Sequence, residues 1–104
     1  MNGLPITLEE DEAFQTLDET LTERGKRYGT FTDHAEISQQ LKGVMSKYEA
    51  ARGCDLDPDQ REALEMIAHK IARIINGDPN YADSWHDIAG YAQLIADRLN
   101  GNAR

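Results

Sequence analysis

The side chains able to act on a phosphate fall in two short stretches of this chain. Over residues 62–76 the sequence EALEMIAHKIARIIN, turned about 100° per residue as a helix, gathers Glu62, Glu65, His69, Arg73 and Asn76 into one polar stripe with Lys70 on its shoulder. In the second stretch Asp83 and Asp87 stand one helical turn apart, with Gly90, Tyr91 and Leu94 around them and His86 and Gln93 on the other side of the pair. Two acidic pairs on neighbouring helices can aim several carboxylate oxygens at one point. Mg²⁺ takes oxygen ligands in octahedral geometry, and once held it bridges phosphate oxygens and activates water for attack on phosphorus. Glu62, Glu65, Asp83 and Asp87 are therefore the candidate metal ligands, with Glu62 and Glu65 as the catalytic carboxylates. His69, Lys70 and Arg73 are the candidate phosphate contacts, Arg73 as a bidentate fork. Tyr91 is the candidate for stacking on a base.

The same residues also fit a plainer description. Glu65 can pair with His69 or Lys70, and Glu62 with Arg73, as on any charge-laced helix face. Asp83 near a helix start can simply answer the helix dipole. The stripe lies nearly opposite the apolar face of its own helix. The acidic pairs therefore meet only if the hairpin packs on its flank or the stripe faces another subunit. His34, His69 and His86 lack the spacing of a zinc site, and there is no HExxH pattern. Trp85 falls on an apolar face and reads as core. GKRYG has no preceding strand and lacks P-loop spacing, so Gly25–Gly29 reads as a joint between helices.

The elements that must carry these residues are all helical. Residues 1–7 read as a loose arm and 8–104 as one domain. Phe14, Leu17 and Leu21 are spaced for a helix starting at Leu8, with Thr7 as N-cap and Gly25 as its end. Thr32 or Asp33 can cap a second helix, whose stripe is Ile37, Leu41, Val44, Met45 and Tyr48 and whose end is ARGCDLD. The third has Asp57 as N-cap, Pro58 at its first position and Asn76-Gly77 as its stop; Leu64, Ile67, Ile71, Ile74 and Ile75 form its apolar face. A short loop then returns the chain antiparallel into a helix from about Ala82 to Asn100, with Gly101 as the stop. The expected fold is an all-α, four-helix, bundle-like single domain.

Composition bounds the function. The 104 residues fit one domain, and 39% apolar with 29% charged residues is ordinary for a folded protein. Nineteen acidic against 11 basic side chains, a formal charge of −8, argue against general nucleic-acid binding, which needs a basic footprint. The single cysteine, Cys54, allows no intrachain disulfide and no thiolate cluster. With no signal-peptide pattern and no apolar run near the ~20 residues of a membrane span, the expected location is the cytoplasm and no membrane partner is expected.

Two resemblances add to this. RGKRYGTFTDHAEI and EALEMIAHKIARIINGDPNYADSWHDIAGYAQLIADRL, and within them HKIARI and YADSWHDIAGYA, resemble a family of small proteins of tailed phages and prophages, over roughly residues 23–99. That resemblance implies a host-cell cytoplasm. A looser one is to the MazG-like all-α nucleoside triphosphate pyrophosphohydrolases, which carry an E-x-x-E pair on one helix and E-x-x-D on the next around Mg²⁺. Glu62-x-x-Glu65 matches the first pair. Asp83 and Asp87 depart from the second, being four apart and starting with Asp. The resemblance implies a MazG-like homo-oligomer that splits a nucleoside triphosphate into monophosphate and pyrophosphate, in nucleotide-pool control.

Three functions follow as expectations. The first is a phage-type nucleotide-binding protein acting as an Mg²⁺-dependent pyrophosphohydrolase. The second, to which the incomplete acidic motif points, is a non-catalytic module sequestering a nucleotide signal of host defence. The third is an acidic phage inhibitor covering a basic groove on a host protein.

Overall fold

The computed structural model describes residues 16–104. These form four helices: α1 (Leu17–Tyr28), α2 (Phe31–Arg52), α3 (Pro58–Asn76) and α4 (Ala82–Leu99). No strand occurs among the described residues. The loose arm at 1–7, the Thr7 cap and the helix start at Leu8 lie outside them.

Local chemistry sets the helix ends. Thr16 opens α1 with a capping box, its Oγ accepting from the Glu19 amide at 3.0 Å while Glu19 accepts from the Thr16 amide at 3.1 Å. Gly25 does not end this helix. One glycine in a helix costs only about 1 kcal/mol, and α1 continues to Tyr28, where Gly29 at φ 77° takes a conformation that side chains disfavour. The cap of α2 is Thr30, not Thr32 or Asp33: its hydroxyl accepts from the Asp33 amide at 3.3 Å. Gly53, left-handed at φ 63°, closes α2. Asp57, Pro58 and Gly77 bound α3 as the sequence predicts.

The packing is not a closed four-helix bundle. α3 lies between α2 and α4, which make no contact with each other, and α1 touches only α2 and α3. On the helical wheel the α2-facing side of α3 carries Ala68, Ala72 and His69, and the α4-facing side carries Ala63, Lys70 and Ile74, almost half a turn away. Ala63, Ala68 and Ala72 are buried, as are Ser38 of α2 and Ser84 of α4, so small side chains let the backbones approach. Ion pairs tie the flanks. Arg98 of α4 donates to Asp59 at 2.6 and 2.7 Å and to Asp57 at 3.0 Å, and Arg61 of α3 pairs with Glu49 of α2.

The result is one layer of three helices with α1 at an end. Its radius of gyration is 18.1 Å, against about 13 Å for a compact chain of this length. Of the isoleucine face expected in the core, Ile74 is buried and Ile67 and Ile71 are half-buried, while Ile75 is 66% exposed, as is Trp85 at 55%. The reason is architectural. Two flanks of α3 are covered, and among the described residues nothing forms a second layer above the side bearing Leu64, Ile71 and Ile75.

Candidate functional site

The best-built junction in the molecule joins the α1–α2 turn to the α3–α4 turn. Asn76, at the end of α3, donates through Nδ2 to the carbonyls of Tyr28 (2.8 Å) and Thr30 (2.9 Å). The Asp78 amide donates to the Arg27 carbonyl at 2.7 Å, and Arg27 donates to the Tyr81 hydroxyl at 2.6 Å. Tyr28 meets Tyr81 edge to face, with ring centroids 6.2 Å apart. The approach is close enough to require glycine twice. A Cβ on Gly29 would collide with Asn76, and one on Gly77 with the Arg27 carbonyl and the Tyr28 backbone. GKRYG is thus a joint, as expected, but one clamped onto α3.

Beside this clamp lies a cavity of about 430 Å³. α1 contributes Arg24 and Tyr28, the start of α2 contributes Thr30, Phe31 and His34, and α3 contributes His69 and Arg73. Tyr28 holds Arg73 by its flat side, the guanidinium carbon 4.2 Å from the ring centroid. A guanidinium stacked this way keeps its N–H edge for hydrogen bonding, and no other described residue pairs with it. Thr30 caps and Phe31 opens the 22-residue helix α2, whose leading N–H groups and dipole favour an anion. Phe31 lies stacked near His34 with most of its ring exposed.

His34 and His69 form a hydrogen-bonded pair, His34 Nε2 to His69 Nδ1 at 3.1 Å, with rings near perpendicular. One ring must donate and the other accept, so their tautomers are locked together. His34 is only 5% exposed, and its Nδ1 is buried with no partner among the described residues. Burial pushes both imidazoles below their usual pKa, with Arg73 adding to it; His69, which His34 also disfavours as a cation, falls to about 4. Both rings are neutral at physiological pH. The positive charge of the cavity comes from Arg24 and Arg73.

The other sequence candidates are dispersed. Glu62 is exposed and borders a groove between α3 and α4 with Tyr91 and Arg98. Glu65 points to the α2 flank, beside Glu49 and Arg61. Asp83 is exposed. Asp87 accepts from Lys70 at 2.8 Å, a hydrogen bond that lowers the Asp87 pKa and commits the buried Lys70 to a structural ion pair. Among the described residues no three His, Cys, Asp or Glu side chains gather where a metal would sit. Within one chain the four carboxylates do not meet at one point: Glu62 borders the α4 groove, Glu65 the α2 flank, and Asp87 is paired with Lys70. A second hollow of similar volume follows the outer side of α4 past His86, Asp87 and Tyr91. It carries carboxylates and is framed by one helix and the chain end, so it offers less to a phosphate.

Of the predicted residues, then, His69 and Arg73 share a site, while Lys70, Tyr91 and the acidic pairs lie elsewhere. Sequence reasoning did not place Arg24, Tyr28, Phe31 and His34 there. The signal was the alternation of basic and aromatic residues in RGKRYGTFTDH. A family model described as a domain of unknown function (DUF6378) matches residues 12–99, and the chain belongs to that family. No curated protein and no solved structure matches it.

Proposed function

We propose that this member of the DUF6378 family binds a nucleotide, or a nucleotide-like phosphate ester, in the cavity between the α1–α2 turn and α3, without hydrolysing it. The observation that supports this is the meeting of Arg73, Arg24 and the N-terminus of α2 with an exposed Phe31 ring around one hollow. The phosphate sits on the two guanidiniums and the leading N–H groups of α2. The base lies against Phe31 at the rim, and neutral His69 supplies one directional hydrogen bond. A volume of about 430 Å³ suits a ligand of nucleotide size. Binding is favoured over Mg²⁺-dependent pyrophosphohydrolysis because the carboxylates that would hold the metal are spread over both flanks of α3. In an infected host cytoplasm such a module would sequester a nucleotide signal.

Calorimetry against a panel of mono-, di-, tri- and cyclic nucleotides tests this. Arg73→Ala should weaken the best ligand by about 10- to 100-fold, the worth of a hydrogen bond to a charged group. Asp83→Asn should leave its affinity unchanged. Pyrophosphate release that needs Mg²⁺ and is lost in Glu62→Gln would establish the hydrolase instead. Absence of binding across the panel at millimolar ligand would remove both readings.

A further inference from the structure

The open side of the three-helix layer carries exposed apolar side chains from all three helices. On α3 it carries Leu64 and Ile75, on α2 Val44 and Tyr48, and on α4 Trp85 and Leu99, between 40% and 66% exposed. The hairpin geometry puts these on one side. With α2 and α4 on opposite flanks of α3 and antiparallel to it, the helical phases of all six side chains point the same way. A groove of about 300 Å³ between α3 and α4, where Leu64 and Ile67 meet Ala92 and Ile95, runs into the same face. Glu62, Arg73 and Asp83 lie on the opposite face by the same phases.

The geometry points to a second copy of this chain as the occupant: two layers pack apolar face to apolar face about a two-fold axis near the middle of α3. Three observations select that occupant. A domain needs two packed layers to enclose a core, and the described chain supplies one, with no side chain larger than alanine fully buried. The exposed area of the six side chains is roughly 600 Å². That approaches the ~800 Å² that each partner contributes to a standard interface, and it stands at the top of the range for patches left open on monomers. Third, the α3 and α4 side chains in this phase (Leu64, Ile67, Ile71 and Ile75; Trp85, Ile88, Ala92 and Leu99) carry no charge, while on α2 the Lys47 ammonium lies 5.4 Å from the Tyr48 ring centroid. A second copy presents the same uncharged stretch, and a two-fold contact is self-complementary.

The chain carries its own probe. Trp85 is its only tryptophan and lies on this face, its indole fixed by a 2.9 Å hydrogen bond from Nε1 to the Pro79 carbonyl. Light scattering and sedimentation of the full chain should give a dimer. Dilution should shift Trp85 emission to the red as the dimer parts. Ile75→Glu, at a position that is mostly exposed in one chain, should raise the dissociation constant about 100-fold or more, because it buries an unpaired charge twice per dimer. Leu94→Glu, on α4 away from this face, should leave it unchanged. A chain that stays monomeric to hundreds of micromolar overturns the inference, as does a dimer indifferent to Ile75→Glu. Circular dichroism of each variant separates loss of the dimer from loss of the fold. The nucleotide panel does not bear on this surface, so either proposal can fail alone.

Discussion

Acidification should destabilise this fold through the imidazole pair, and a His69→Asn variant should be spared part of the loss. Asn is the chosen replacement because its side-chain amide can occupy the place of Nδ1 and keep a hydrogen bond to His34. In the folded chain His69 titrates at about 4, well below the ordinary histidine value near 6.5, mainly because burial penalises its cation. As the pH falls the unfolded chain takes up this proton first. The stabilisation is therefore complete above about pH 6.5, is lost progressively as the pH falls toward 4, and levels off below that. Integrated between the two pKa values the linkage amounts to about 3 kcal/mol. Solvent screening of a ring that is only part-buried reduces it to about 1.5 kcal/mol. Urea unfolding at pH 7.5 and at pH 4.5 reads this directly. Asp59 and Asp87, whose pKa values are held low by Arg98 and Lys70, titrate in both proteins and cancel in the difference. The wild type should lose about 1.5 kcal/mol more than His69→Asn between the two pH values. Equal losses would mean that the pair does not control the pH response, and the account of its burial would be wrong.

Three further substitutions test the packing, two of them at the junction that frames the cavity. Gly77→Ala drives a methyl group into the Arg27 carbonyl and should cost about 2 kcal/mol or more in urea melts. Gly43→Ala, inside α2 with open space around it, should instead stabilise by about 1 kcal/mol. Asn76→Ala removes both donors to Tyr28 and Thr30 and should cost about 2 kcal/mol, measured the same way.

The helices were legible because their signals are local. Asp57-Pro58 at one end of α3 and Asn76-Gly77 at the other fix its ends whatever lies around it, and the period of the isoleucines fixes its phase. Gly25 misled because a glycine mid-helix is only mildly unfavourable, while the terminating geometry is met at Gly29. The site was half legible. Glu62, Glu65, His69 and Arg73 share a stripe on the wheel, but a stripe has two edges. His69 turns to α2, Arg73 to the Tyr28 ring, Glu65 to the α2 flank and Glu62 to the groove beside Tyr91. Which edge faces which neighbour depends on α2 and α4 flanking α3 on opposite sides, and no single helix encodes that. Trp85 carried the complementary error: an apolar phase predicts burial, and it cannot say whether the covering surface belongs to the same chain.

Consecutive residues of the middle helix serve opposite neighbours. His69 grips α2 and Lys70 grips α4, with one peptide bond between them and no bridge from α2 to α4. Among the described residues, the placing of α2 relative to α4 is therefore set by α3 alone.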